Sequence, residues 1–285
     1  MTFFWHDLTA RDFLELDAAR TIAVLPIAAT EQHGPHLPVS TDSTIAEGML
    51  GRLREQLPED ISVLVLPSLQ IGKSNEHMRS AGTLTLPSDV FEALLTEVGA
   101  SVYRAGLRKL LIINSHGGNN PVMEIVARAL RVRFEMLVVT TQWNRFGVPA
   151  DTVDEAELRY GVHAGLVETS LMLAFRPDLV RFDKAQNFVS STAWMEQSFS
   201  HLRATGRHNM GWIIEDLNAE GAVGNAAAAT AELGMAIAKH QARGAIELLR
   251  DMTRFDLKRL EQPGKGPSLV ATSDQSWKRG RELAG

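Results

Sequence analysis

The stretch Thr21-Ile22-Ala23-Val24-Leu25-Pro26-Ile27-Ala28, followed at once by Ala29-Thr30-Glu31-Gln32-His33-Gly34-Pro35-His36, decides how this sequence folds. An apolar run that breaks abruptly into Glu and His reads as a buried strand whose far end carries chemistry. The pattern recurs where Lys109-Leu110-Leu111-Ile112-Ile113 runs into Asn114-Ser115-His116-Gly117-Gly118-Asn119. Working outward, Ser62 to Leu66 and Met136 to Thr141 read as two more strands. Amphipathic helical stretches separate them: Thr44 to Gln56, Ser88 to Ala105, Asn120 to Arg133, Leu166 to Phe175 and Ala226 to Met252. Ser43 and Pro87-Ser88-Asp89 mark helix starts, and Gly106 marks a stop. Strand and helix in alternation define an α/β fold. Polar side chains leaving separate strands then meet at one end of the sheet, where metal-assisted hydrolysis is commonly built.

Composition narrows the classes. The 285 residues are 45% hydrophobic and carry a formal net charge of −5. That supports one large α/β domain or two small ones and gives no footing for nucleic acid. No run approaches the roughly 18 consecutive apolar residues that span a bilayer. The opening Met1-Thr2-Phe3-Phe4-Trp5-His6-Asp7 lacks a signal-peptide pattern, so the expected location is the cytoplasm, with no membrane partner. Without cysteine, any metal must be held by imidazole and carboxylate, which suits zinc, with manganese or iron as alternatives. No linker or repeat divides the chain, so a single catalytic domain over residues 1–261 is expected, with a polar tail over 262–285. The four alanines from Ala226 read as a close-packed helix face.

The candidate ligands follow from their spacing. Glu31 and His33 are two apart, so in extended backbone they point to one side and can serve one metal or two neighbouring ones. Asp42 follows a loop stiffened by Pro35 and Pro38 and stands just before a helix, where its two oxygens can bridge two cations. His116 leaves the strand that starts at Lys109, and Gly117-Gly118 lets backbone approach a ligand closely.

These segments, together with His163-Ala164-Gly165-Leu166-Val167-Glu168-Thr169-Ser170-Leu171-Met172-Leu173, resemble the creatininase family of amidohydrolases. The likeness runs from about Thr21 to Val180, with a weaker echo at Glu220-Gly221-Ala222-Val223-Gly224-Asn225. The resemblance implies a three-layer α/β/α sandwich around a mostly parallel sheet, two divalent metal ions per chain and a homo-oligomer, commonly a hexamer. It implies hydrolysis of a C–N bond in a small cyclic amide or formamide by metal-bound hydroxide. Carried over, Glu31, Asp42 and His116 hold one metal, while His33 and the bridging Asp42 hold the other. The family's namesake enzyme completes the second site with a Glu two residues after the His of the turn, where this chain has Gly118. Glu168 is the natural replacement, as a metal ligand or an acid/base group. His163 matches the catalytic histidine and would protonate the leaving nitrogen. On a regular helix His163 and Glu168 would lie about 140° apart, so they converge only if His163 precedes the helix.

Lys73-Ser74-Asn75-Glu76-His77 with Gly82-Thr83-Leu84-Thr85-Leu86 resembles the family's substrate-side loop. Glu76, His77, Gly117 and Asn119 are accordingly the expected substrate contacts. The Phe-Pro often found before that Gly-Thr is Ser80-Ala81 here, and a Trp-Asp pair that handles creatinine is replaced by Arg159-Tyr160, so a different small molecule is expected. Trp143, Trp194 and Trp212 are further candidates for the pocket wall. Ring opening of a lactone, imide or cyclic ketone at the same site is the alternative chemistry, and an inactive metal-binding member the alternative class. A nucleotide-binding reading fails for want of Gly-x-Gly-x-x-Gly spacing.

Overall fold

The computed structural model describes residues 2–260; the tail expected over 262–285 lies outside them. Four strands, β1 (Ile22–Ile27), β2 (Val63–Val65), β3 (Lys109–Asn114) and β4 (Leu137–Gln142), form a parallel sheet in the order β2-β1-β3-β4. Eight α-helices accompany them: α1 (Thr41–Gln56), α2 (Ser88–Arg104), α3 (Asn120–Phe134), α4 (Glu155–Tyr160), α5 (Leu166–Phe175), α6 (Thr192–Ser198), α7 (Ile214–Leu217) and α8 (Ala231–Arg254). A short antiparallel pair, β5 (Asn187–Phe188) and β6 (Gly224–Asn225), stands apart from the sheet.

Strand order fixes the layers. The chain moves from β1 outward to β2, then crosses back over β1 to β3 and continues to β4. Because such crossovers are right-handed, reversing direction sends α1 to one face and α2 and α3 to the other. Side-chain alternation confirms this. Ile22 and Val24 pack with Ile45 and Met49 of α1 and Ile237 of α8, whereas Ala23, Leu25 and Ile27 pack with Phe91 of α2 and Val126 of α3. Each fully buried Ile or Leu contributes about 1.5–3 kcal/mol, so both faces of β1 resist slippage.

The reversal between β1 and β3 is the topological switch point, the place where an open α/β sheet leaves a crevice at the carboxyl ends of its strands. Register pairs Ile27 with Asn114 there, so the segments carrying Glu31 and His116 emerge side by side.

The four sheet strands and the cores of α1, α2, α3 and α5 match the sequence reading, whereas α4, α6, α7, β5 and β6 were not foreseen and two helix starts differ. Helix α1 begins at Thr41 with Ser40 as its cap, so Asp42 sits in the first turn rather than before the helix. The long C-terminal helix starts at Ala231, capped by the Thr230 hydroxyl accepting from the Leu233 amide. The four alanines therefore lie before it, Ala226–Ala228 in a 3-10 turn, with Ala226 and Ala229 buried against their neighbours. No helix among the described residues is long and apolar enough to cross a membrane.

Candidate metal centre

At the switch point, Glu31, His33, Asp42, His116 and His163 are all buried, at 6% exposure or less, and Glu168 joins them at the cavity wall. Asp42 is central. Its Oδ1 lies 3.5 Å from His33 Nε2 and its Oδ2 3.7 Å from His116 Nδ1, so the two oxygens face opposite sides. On one side Glu31 Oε1 stands 3.1 Å from His116 Nδ1. On the other, Glu168 Oε2 stands 3.8 Å from His33 Nε2. Three groups have donor atoms close enough for one ion, Glu31-Asp42-His116, His33-Asp42-Glu168 and Glu31-His33-His163, and Asp42 is shared by the first two.

The rings are oriented by carbonyls, which can only accept. His33 donates Nδ1–H to the Glu31 carbonyl at 3.0 Å, so Nε2 carries the lone pair. His116 donates Nε2–H to the Lys73 carbonyl at 2.8 Å, so Nδ1 does. His163 donates Nε2–H to the Gln32 carbonyl at 2.9 Å, leaving Nδ1 3.7 Å from Glu31 Oε1. Such outer bonds are what fixes the tautomer of a ligating imidazole. Both Glu31 oxygens, Asp42 Oδ2 and His33 Nε2 are buried without a hydrogen-bond partner among the described residues. Unpaired buried carboxylate is costly, and a cation is the partner that this set of nitrogen and oxygen donors fits.

Charge distribution says the same. Burial pushes the imidazoles of His33 and His116 down, yet Asp42 and Glu31 beside them raise His33 to about 9 and His116 to about 10. Burial raises Glu31 too, but His116, then His163 and His77, hold it well below the carboxylate range. Burial lifts Asp42 as well, and it lifts Glu168 to about 7. The carboxylates thus demand positive charge, which protons supply and divalent ions would displace. His163 goes the other way, lowered well below an ordinary histidine by burial and by His33 and His77.

Local sequence explains each placement. His163 precedes α5 as the convergence argument required, held by a backbone bridge to Val223. Ala164 adopts a left-handed φ of 55° that points its N–H at Glu168 Oε2, 2.6 Å away. Gly118 has no room for a side chain, since a Cβ there would collide with the Lys73 carbonyl, the Glu76 carboxylate and the His116 ring. A glutamate at that position is sterically excluded in this chain, and Glu168 reaches the second triad from the opposite side.

Of the expected substrate contacts, Glu76, His77 and Gly117 line a cavity of about 560 Å³ over the centre, together with Trp212. His77 also braces the cluster. Its Nδ1 accepts from the Gln32 amide at 2.8 Å and its Nε2 lies 3.3 Å from Glu31 Oε1, so it steadies that carboxylate. Asn119 is a correction. It is fully buried, donating to the Ala28 carbonyl and Asn114 Oδ1 and accepting from the Lys73 amide, so it shapes the turn and cannot touch a ligand. Trp194 is 59% exposed and away from the cavity.

Sequence reasoning missed three residues. Gln32, lodged between two candidate ligands, accepts from Gly34 N–H and donates to the Gly221 carbonyl. Asn114 accepts from the His116 amide and donates to the His116 carbonyl, closing the turn on itself. Glu157 accepts from the Leu166 and Asn225 amides at 2.8 Å each, while Gly161, Gly165 and Gly224 crowd its Oε1 so closely that a Cβ on any of them would collide with it. A carboxylate followed by the glycines at 161 and 165 was its only signal.

A parallel sheet with a carboxylate and imidazole cluster at its switch point defines a metal-binding hydrolase architecture, and comparison with known proteins gives its family. The Creatininase (creatinine amidohydrolase) family model matches residues 6–249. The chain belongs to the creatininase family of metal-dependent amidohydrolases. It is 30% identical over 238 residues to the mycofactocin precursor peptide peptidase of Mycolicibacterium smegmatis, covering 83% of this chain and 87% of that one. It is 29% identical to the creatinine amidohydrolase of Pseudomonas putida, covering 66% and 75%. A solved creatininase in its manganese form superposes with a TM-score of 0.71 at 23% identity, covering 90% of this chain and 100% of that one.

Proposed function

We propose that this protein hydrolyses a C–N amide bond at a two-metal centre, with Glu31, Asp42 and His116 holding one divalent cation and His33, Asp42 and Glu168 the other. The observation that carries this is Asp42, whose two oxygens face different histidines from within two separate triads. Cations bound there would lower the pKa of a water and polarise the scissile carbonyl. Zinc suits the donors best, with manganese or iron as alternatives.

The chain's own groups do the rest. His163 presents the Nδ1 lone pair toward the centre, takes a proton from the attacking water and returns it to the leaving nitrogen, which departs poorly as an anion. Glu31 is kept ionised beside it, and His77 and Gln32 keep Glu31 from turning. Glu76, His77 and Gly117 contact the substrate. The amide class is read broadly, from small cyclic amides and formamides to peptides, because relatives named for a peptidase and for creatinine hydrolysis resemble this chain in sequence to nearly the same degree.

The same reading takes residues 1–261 as one catalytic domain of a cytoplasmic homo-oligomer. The surface pair Trp194 and Phe199, in edge contact at 5.5 Å, suits a contact between copies. The test is hydrolysis of a panel of cyclic amides, formamides and short peptides by protein purified without chelator. Chelation should abolish turnover and zinc or manganese restore it; turnover indifferent to chelation would overturn the proposal.

A further inference from the structure

The cavity over the metal centre adjoins a second space of about 520 Å³, with Val162, Thr205 and Gly206 lining both. Val162 immediately precedes His163, the residue proposed to protonate the leaving nitrogen, so this groove lies on the leaving-group side of the scissile bond. Two arginines line it, Arg159 of α4 and Arg203 of the loop between α6 and α7, and both stand beside one carboxylate, Glu196 of α6. The hydrolytic reading leaves the Arg159-Tyr160 pair without a role.

Arg159 Nη1 donates to Glu196 Oε2 at 3.1 Å, and the Tyr160 hydroxyl donates to the same oxygen at 2.6 Å. Arg203 Nε stands 3.7 Å from Glu196 Oε1, while its Nη1 donates to the Phe199 and Leu202 carbonyls at 2.9 and 2.8 Å. Arg203 is therefore fixed in the wall, whereas Arg159, whose side chain is 60% exposed, keeps most of its donors for a ligand. The Tyr160 hydroxyl, then Arg159, hold Glu196 below the usual carboxylate range, so it is ionised. Arg159 and Arg203 against Glu196 alone leave one positive charge in excess on the groove wall. The loop adds to it: residues 201–210 include Arg203 and Arg207 and no Asp or Glu, in a chain of formal net charge −5. A dianion would exceed what this wall neutralises. A single carboxylate matches it, and a guanidinium fork is the donor geometry that carboxylates fit.

We propose that this groove is an anion subsite that receives a carboxylate carried by the leaving half of the substrate, with Arg159 as its specificity-determining contact. The inference rests on the hydrolytic reading of the adjoining centre and narrows it. The amine released then bears an acid group, as an amino acid or short peptide with a free carboxyl end does and a small cyclic amide does not. Glu196 spaces the two arginines and competes with the ligand for Arg159.

The test titrates N-acetylalanine, N-acetyl-dialanine and N-acetyl-trialanine, each as free acid and as carboxamide, into the zinc-loaded protein by ligand-detected NMR, with any released amine read from the same spectra. At one length or more the acid should bind about three- to tenfold more tightly than its carboxamide. Arg159→Gln, at an exposed position, should reduce that preference to within about twofold, and Glu196→Gln, which frees both guanidiniums, should widen it. Equal binding of acid and carboxamide at every length would overturn the subsite. So would a preference indifferent to Arg159→Gln, which would place the carboxylate on the metal ions instead. A preference that follows both variants while no probe and no amide of the panel is hydrolysed would leave the subsite standing and refute the function proposed for its neighbour.

Discussion

Replacing Glu157 should disable the centre without touching any proposed metal ligand. Its carboxylate holds the Leu166 amide at the start of α5 and the Asn225 amide on β6, each at 2.8 Å, and so ties the far end of the His163–Gly165 turn to β6. Hydrogen bonds to a charged group are worth about 1.5–3 kcal/mol apiece. Glu157 is only half-buried, so water can replace part of the loss and the low end applies, about 3 kcal/mol for the two in Glu157→Ala. For a chain of this size each kcal/mol moves Tm by about 2–4 °C, giving a fall of about 6–12 °C. Glu157→Gln keeps the shape but turns a donor toward one backbone N–H, so about half that fall is expected. Because the turn aims His163 Nδ1 and points the Ala164 amide at Glu168, kcat should drop in both variants while KM changes little. The assay is a thermal melt paired with steady-state kinetics and metal analysis. A Glu157→Gln protein with wild-type Tm and kcat would refute the reasoning.

Glu168→Gln should lose about one metal per chain by elemental analysis; retention of both ions with only a slower rate would make Glu168 an acid/base group. His163→Ala should keep its metal and its fold while turnover of a poor-leaving-group amide falls by roughly 10²–10⁴-fold, and an activated anilide should suffer less. Equal loss on both substrates with a lower Tm would make His163 structural. Gly118→Ala should lower metal affinity, since its methyl meets the His116 ring and the Lys73 carbonyl that orients it; unchanged affinity by titration would show that the turn can yield.

Much of this architecture could be read from the chain because strands and ligands are coded locally. The runs at Thr21 and Lys109 are apolar enough to be read as strands, and Glu31, His33 and His116 follow them within a few residues. Convergence of His163 with Glu168 was legible only as a conditional, since it depends on where α5 begins. Two of the misread features share one cause, contact between segments remote in sequence. Asn119 looks like a turn residue facing a ligand until Ala28 and Lys73 are seen to use its amide. Glu157 looks like an ordinary charge on a short helix until Gly165 and Gly224 close around it. The start of α1 was misplaced because Thr41 and Asp42 are poor helix formers, tolerated there because a first turn favours a carboxylate.

The most direct measurement is the metal content of protein purified without chelator, compared between wild type and Asp42→Ala. A bridging aspartate shared by two triads requires close to two ions per wild-type chain and close to none in the variant, with turnover lost in parallel. Wild-type protein with one ion or none, or Asp42→Ala protein with full occupancy, would contradict the two-metal centre.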